Sequence, residues 1–447
     1  MTRTGVTLFI AMLLFSDFLR AQNPETINLQ DCISHALKQN AEIQKASLHE
    51  QEAAWKTKEI GSSALPQLNI NGMFNYYIDL PTQILPGELM GMPGQDLEVQ
   101  FGKKYNTNAN LEVSQMIFSK PWITGLQTAK TAEDLYALVT LKTEEDIIYN
   151  VSELYYNILI NQEQLSTIDY NMKRLESLSG IVELQYEGKI VKKTDWNRVK
   201  VNLINLNTQK MMLQDGINKQ IYFLKVLIGM PSDTAIYVCD KSFIKSEPVV
   251  TSSTAPFNIE EKTEIQLIKK QKEMNQLELQ SIKAGYYPAL YGFGQFGLQA
   301  QRNEFDFFDS DQSWYNMNLV GLKLEIPVFD GFKKSTKAKQ SKLRMNMLEI
   351  DYQNTTNFLT TEYKIALESL STSFQSFHAQ KQNKLLALEV YDQTELQYKE
   401  GIAALTDLLN AEAALMDAQT LFNQTILKYK VAELDLKKAK GELRDNN

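Results

Sequence analysis

The spacing of apolar and polar residues changes several times along the first half of the chain. From Thr26 to Gly61 apolar residues recur with helical spacing, and the pattern breaks near Gln39 and Asn40. Over 65–79 and again over 106–118 the period becomes two, with apolar side chains alternating with polar ones. This alternation predicts two strands, each with one apolar and one polar face.

A much longer helical pattern follows these strands. Residues 120–187 contain no proline after Pro121, and apolar positions continue with near-heptad spacing throughout. A second, shorter pattern returns from Lys189 and is stopped by Gly229 and Pro231. The sequence therefore predicts a long helical hairpin over 120–229, of the length typical of coiled coils rather than of domain cores.

The second half of the chain repeats this order. The triplet Glu42-Ile43-Gln44 recurs as Glu264-Ile265-Gln266, and Pro66 recurs as Pro288, each 222 positions later. We therefore expect a first repeat over 22–230, a linker over 231–257 and a second repeat over 258–447. The second repeat is predicted to hold a helix, strands at 288–300 and 315–329, and a helical hairpin over 331–443. The strand connections, 80–102 and 302–313, are predicted to be exposed loops.

A shorter repeat lies where each long helix turns back. Tyr186 precedes Asp195 by the same nine positions that separate Tyr398 from Asp407, and each aspartate follows a threonine, Thr194 or Thr406. A glycine, Gly188 or Gly401, interrupts the helical pattern just after each tyrosine. Because glycine is unfavourable inside helices, both glycines predict turns between helices.

The N-terminus has the pattern of a secretory signal peptide over 1–21. Arg3 precedes the apolar run from Gly5 to Phe15, and the small residue Ala21 precedes a polar stretch. The run is too short to span a bilayer, which takes about 20 apolar residues. We therefore expect export and cleavage after Ala21.

Composition and charge exclude several functions. The formal charge of −8 argues against nucleic acid as a partner. The three histidines, His35, His49 and His378, are far apart, and we find no phosphate loop, nucleophile elbow or paired-cysteine metal site. We expect no enzyme activity, cofactor or metal site. Cys32 and Cys239 could form a disulfide, but two buried free thiols are the favoured interpretation.

The predicted strands need partners from other chains. Four strands do not close a barrel, and an open sheet with an apolar outer face would aggregate in water. Closed barrels begin at about 8 strands, so two or three chains would suffice. Strands of about 9–11 residues span a bilayer, in which a closed barrel satisfies every backbone polar group.

The chain resembles the family of TolC-type outer-membrane efflux proteins. The resemblance rests on the duplicated order of elements, on QMIF and IPVF at the ends of the second strands, and on the pattern Y-x-x-G-x-x-x-x-T-D-x-L that begins at Tyr398. It implies an α+β membrane protein: a homotrimer with a twelve-stranded barrel in the lipid of the outer membrane, continued by a long α-helical coiled-coil tunnel in the periplasm. It also implies docking to a periplasmic adaptor and an inner-membrane transporter.

The resemblance implies roles for the residues at the turns. Asp407 matches a position that faces the pore near a periplasmic constriction, and Tyr398 matches one that ties neighbouring hairpins together, with Thr194 and Asp195 as expected partners. Asn410 occupies a second acidic position of the family, and Ala403 stands where a locking arginine would be. Helix N-capping by Thr194-Asp195 and Thr406-Asp407 is the alternative interpretation, and the two are compatible.

The implied function is an outer-membrane exit duct that passes small molecules, such as drugs, metabolites or metal ions, from an adaptor and an inner-membrane pump to the exterior. A type I protein-secretion channel would have the same sequence features. A soluble periplasmic coiled-coil adaptor would explain the hairpins but not the amphipathic strands.

Overall fold

The computed structural model describes residues 25–86, 91, 94–240 and 257–444 of the 447-residue chain. The predicted signal peptide and cleavage site lie outside these residues, as does most of the predicted linker. Strand β1 (Glu25–Ile27) pairs in parallel with β6 (Ile236–Val238), which lies in the described start of that linker.

The first helical pattern forms two helices, α1 (Leu29–Gln39) and α2 (Ala41–Ser62). The break expected near Gln39 and Asn40 is confirmed, and Asn40 explains it. The Asn40 side chain accepts a hydrogen bond from the Glu42 backbone N–H at 2.8 Å and donates to the Leu227 carbonyl at 2.8 Å. Asn40 therefore starts α2 in the manner of a helix cap and also ties the break to the end of another helix.

The long helical patterns form two hairpins. The first joins α3 (Lys120–Glu187) to α4 (Lys193–Leu227); after the shorter α5 (Thr263–Ala284), the second joins α6 (Lys333–Lys399) to α7 (Leu405–Lys440). Both predicted hairpins are present. Among the described residues, no helix has an apolar stretch long enough to cross a membrane.

The four predicted strands form one antiparallel sheet. Its strands are β2 (Gln67–Tyr76), β5 (Tyr105–Ser119), β7 (Ala289–Arg302) and β8 (Tyr315–Glu325), in the order β2-β5-β7-β8. Strand β8 ends four residues before the predicted end at 329, which fits Pro327, since proline has no N–H to donate to a strand partner. The connection expected to be a loop at 80–102 instead contains a two-stranded ribbon of β3 (Thr82–Leu85) and β4 (Leu97–Gln100).

The sheet exposes apolar side chains along one face. In register across the four strands, Leu68 pairs with Val113, Val113 with Gly294, and Gly294 with Val320. Within the chain Ile70 is 81% exposed and Val320 is 74% exposed. Strands β2 and β8 each pair on one side only, so over the part of the chain that the structure describes this sheet has two open edges as well as an exposed apolar face.

The chain divides into two compact units. The helical unit contains the described residues up to His49, together with Ala137–Leu267 and the residues from Asp351 onwards. The sheet unit contains Glu50–Tyr136 and Ile268–Ile350. In the helical unit, one buried cluster surrounds Tyr155 and Ile158, and a second surrounds Val182 and Leu408.

Polar side chains join α3 to α7 inside the helical unit. Tyr149 donates to Asp435 at 2.6 Å, Gln164 to Thr420 at 2.9 Å, and Asn171 to Gln419 at 2.9 Å. Burial and the nearby Asp435 carboxylate raise the pKa of Tyr149, so this hydroxyl stays protonated. These bonds fix which residues of α3 face α7, because buried polar groups cost free energy unless they are paired.

Both cysteines are free thiols, as predicted. Cys32 is buried, and burial raises the pKa of its thiol to about 12, so it stays protonated. Cys239 is only partly buried, so the prediction of a buried thiol is confirmed for Cys32 and wrong for Cys239.

The two turns between the long helices share one backbone geometry. The Ile190 N–H donates to the Gln185 carbonyl and the Ile402 N–H to the Gln397 carbonyl, both at 2.8 Å. These are the six-to-one bonds of a Schellman turn, in which one residue is left-handed. Equivalent residues of the two turns lie 212 positions apart, as Gln185 and Gln397 do.

The left-handed residue differs between the two turns. It is Gly401, with φ of 76°, in the second turn, but Lys189, with φ of 59°, in the first. Gly188 and Gly401 both lie at turns between helices, as predicted, but they are not equivalent: the 212-residue offset places Gly188 opposite Glu400 and Lys189 opposite Gly401. A lysine here carries the steric cost that glycine avoids, because its Cβ crowds the backbone.

This asymmetry predicts opposite effects of two substitutions. Lys189→Gly should raise the free energy of unfolding by up to about 1 kcal/mol, whereas Gly401→Ala should lower it by about 1 kcal/mol. Thermal unfolding of the purified protein in detergent, followed by circular dichroism, measures both effects. Changes of the same sign in the two variants would contradict the assigned turn geometry.

Candidate functional site

The threonines and aspartates singled out in the sequence lie in the first turns of α4 and α7. The cap residues are Lys192 and Ala404, whose backbones are extended and whose side chains cannot cap. The capping interpretation was therefore wrong in position for Thr194-Asp195 and Thr406-Asp407. Asp407 nevertheless stabilises the start of its helix, because its carboxylate accepts the Ala404 N–H at 3.2 Å.

The two aspartates have different surroundings. Asp195 lies 3.6 Å from the Arg198 guanidinium on the next turn of α4. Asp407 is exposed, and its carboxylate accepts the Ala404 N–H of its own helix start. Asp407 thus presents negative charge to solvent at the start of α7, whereas the charge of Asp195 has a cationic neighbour.

Tyr398 joins the ends of the two hairpins. Its hydroxyl donates to the Gln185 side-chain oxygen at 2.9 Å, which connects the last turn of α6 to the last turn of α3. Burial raises the pKa of Tyr398, and the nearby Asp195 carboxylate acts in the same direction. The observed acceptor is therefore Gln185 rather than the expected Thr194 or Asp195; bonds from Tyr398 to those two residues in a neighbouring copy stay a prediction.

Tyr186, the counterpart of Tyr398 in the first turn, makes a different contact. Its ring stacks on Trp196 of α4, with centroids 5.0 Å apart and an interplanar angle of 15°. The ammonium group of Lys200 lies 3.5 Å from the Trp196 ring centroid on the same helix. The second turn thus carries a hydrogen bond between the two hairpins, whereas the first turn carries a stacked aromatic pair within one hairpin.

Thr194 and Asn410 line one open groove between α4 and α7. The groove has a volume of about 740 Å³ and also contains the guanidinium-bearing Arg198. Its other lining residues are small, polar or aliphatic: Asn197, Val201, Asn202, Thr406, Leu409 and Ala413. The structure therefore brings two of the predicted residues to one surface and places Tyr398 in a separate contact.

Gln185 and Trp196 were not predicted from the sequence. A usable signal was present for Gln185, because Gln185-Tyr186 and Gln397-Tyr398 are identical pairs at the constant offset. The sequence gives no comparable signal for Trp196, because its stacking on Tyr186 depends on the backbone geometry of the turn between them. No group of three or more His, Cys, Asp or Glu side chains in the described ranges could hold a metal ion.

Comparison with known proteins identifies related chains. The family model described as "Outer membrane efflux protein" matches residues 265–442. The outer membrane protein TolC of Escherichia coli K12 is 19% identical over 434 residues, covering 94% of this chain and 83% of TolC. The alkaline protease secretion protein AprF of Pseudomonas aeruginosa is 20% identical over 291 residues, covering 64% of this chain and 60% of AprF.

The fold also matches solved outer-membrane channels. The Campylobacter jejuni CmeC outer membrane channel superposes with a TM-score of 0.73 at 16% identity, over 93% of this chain and 85% of that one. The family model over 265–442, the related sequences and the shared fold make this chain similar to TolC-type outer-membrane efflux proteins.

Proposed function

We propose that three copies of this chain form an outer-membrane exit duct for small molecules. Similarity to the outer membrane efflux protein family supports an outer-membrane exit channel of a tripartite efflux or type I secretion system, and that family consists of channels rather than of enzymes. The number of copies, the cargo and the gate residues are the parts that we propose.

The open four-stranded sheet carries the proposal for three copies. Its two unpaired edges, β2 and β8, and its exposed apolar face would be an aggregation site for a chain alone in water. Pairing β2 of one copy with β8 of the next satisfies the edge N–H and C=O groups and turns the apolar face towards lipid. Three copies supply twelve strands, above the minimum of about 8 for a closed barrel and wide enough for a lumen.

The hairpin ends carry the proposal for a gate. Three copies of the exposed Asp407 would form one ring of carboxylates at a periplasmic constriction, and such rings hold cations and filter by charge. Mutual repulsion would raise the apparent pKa values of the ring. Asn410 supplies no second ring and Ala403 no locking arginine, so the contact between Tyr398 and Gln185 becomes a main tie between the hairpin ends.

The proposed partners are a periplasmic adaptor and an inner-membrane transporter, which would select the cargo. Protein secretion is the second candidate, because AprF is named an alkaline protease secretion protein. Affinity capture of the full chain after cross-linking in cells separates the two candidates: a small-molecule pump with its adaptor supports efflux, and a peptide exporter supports secretion.

Assembly state gives the first test. We expect the chain in the outer-membrane fraction and, after extraction in detergent, a native mass three times that of the processed chain. Native mass spectrometry measures this directly. A soluble monomer would overturn the proposed duct, because its sheet edges would then be open in water.

The gate gives the second test. In planar bilayers, Asp407→Ala should increase single-channel conductance and weaken block by divalent cations, because the carboxylate ring is lost. Asp215→Ala is the matched control: Asp215 is an exposed acid on α4, 64% exposed and paired with Lys219, and its loss should leave both readouts unchanged. Asn410→Asp should strengthen cation block by adding a second ring. Unaltered conductance and block in Asp407→Ala would remove Asp407 from the gate.

A further inference from the structure

A buried acid lies on α7 five residues beyond Asp407. Glu412 is 4% exposed, and the nearest cation is Arg174 of α3, whose Nη2 is 3.9 Å from Glu412 Oε1. This separation is an ion pair but too long for a hydrogen bond. Neither Glu412 Oε1 nor the Nε and Nη2 atoms of Arg174 has a hydrogen-bond partner. The charge of Glu412 is therefore only partly compensated where it lies.

Arg174 is held by an aromatic ring rather than by the acid. Its guanidinium carbon lies 3.8 Å from the ring centroid of Tyr391, a side chain of α6 that is 5% exposed. Tyr170, on α3 itself, offers a second ring at 5.5 Å. Contact with aromatic faces stabilises a partly desolvated guanidinium without requiring an acid. The cluster Arg174-Tyr391-Glu412 thus joins three helices, and its least satisfied member is the carboxylate.

The remaining groups around Glu412 do not stabilise its charge. Glu395 of α6 adds negative potential, and the hydroxyl of Tyr391 is uncharged because burial raises its pKa. On the side towards α4, Glu412 lines a cavity of about 200 Å³. That cavity contains one further acid, Asp417 on α7, and otherwise neutral side chains: Leu175, Asn202, Asn205, Leu206, Gln209, Leu409, Ala413 and Met416.

We propose that Glu412 is a positioning residue for the hairpin end, and that ionisation of its side chain loosens α7 from α3 and α6 directly behind Asp407. Neutral Glu412 lets the three helices pack closely. Charged Glu412 lacks a donor within hydrogen-bond distance of Oε1 and is better solvated if the start of α7 moves away. The effect on channel opening rests on the proposed gate, whereas the effect on packing does not.

The direction of the pH dependence follows from burial. Burial raises the pKa of Glu412 from 4.5 to about 7, against the opposing effect of Arg174. The packed arrangement therefore binds a proton more tightly than a loosened one does. The equilibrium constant that favours the packed arrangement is largest below pH 4.5. It falls by up to about tenfold per pH unit as pH rises towards 7 and changes little above 7.

Hydrogen exchange tests the packing on the full chain in detergent. After correction for intrinsic rates, peptides over 405–416 should show an opening equilibrium that increases between pH 4.5 and 7 and then levels off. Glu412→Gln, which mimics the neutral acid, should keep the low-pH protection across the range. The matched control Glu433→Gln, an acid farther along α7 that is paired with Lys430, should behave like wild type.

Two results would overturn the proposal. One is a flat wild-type profile over 405–416, and the other is a pH step that persists in Glu412→Gln. If Glu412→Gln does not fold, the wild-type profile still decides, together with Arg174→Met, which removes the compensating cation and should move the levelling point to higher pH.

Conductance separates this proposal from the gate itself. A pH-dependent change in opening that is retained in Asp407→Asn and lost in Glu412→Gln supports a link between Glu412 and the gate. A change that is lost in Asp407→Asn and retained in Glu412→Gln overturns that link. If the chain forms no channel, the exchange profile still confirms or overturns the effect of Glu412 on packing.

Discussion

The unpaired edges of the four-stranded sheet are the constraint on which the rest of this structure depends. Strands β2 and β8 leave rows of backbone donors and acceptors unpaired within one chain, beside an apolar face that is largely exposed. Backbone groups in lipid must all be paired, and water does not accept that apolar face. Closure with further copies would satisfy both demands, and the proposed assembly would then repeat every part of the chain with the same symmetry.

In the helical unit, hydrogen bonds between polar side chains fix the register of the helices, in addition to apolar packing. Coiled helices with repeated apolar positions could slide by a heptad at small cost in buried area. Bonds such as Tyr149 to Asp435 and Gln164 to Thr420 exist in only one register, because a slip leaves buried polar groups without partners. The hairpin ends are thereby held at fixed positions. Asp407 and Tyr398 can act at a constriction only if they lie at the same level in every copy.

The order of elements was readable from the sequence because it depends on periodicity and on a duplication with a constant offset. The sequence did not indicate that Lys189 is the left-handed residue of the first turn, since glycine is the usual choice there. The repeated Gln-Tyr pair marks Gln185 in the sequence, but its pairing with Tyr398 and the cluster of Arg174, Tyr391 and Glu412 could not be predicted from it. Each depends on which side chains of separate helices meet, and heptad spacing leaves that register open.

Two neutral residues near the hairpin end bear on how the proposed gate is controlled. With Asn410 and Ala403 at the positions that the resemblance implies, the proposed gate has fewer charges at the exposed end of the hairpins, and this would weaken control of closure by surface ions. A partly compensated acid lies one to two turns farther along the same helix, buried between three helices. A buried charge is screened less by salt than an exposed one, so its ionisation acts on packing at any ionic strength. Control of the hairpin end would thus depend on protons at Glu412 more than on ions at Asp407.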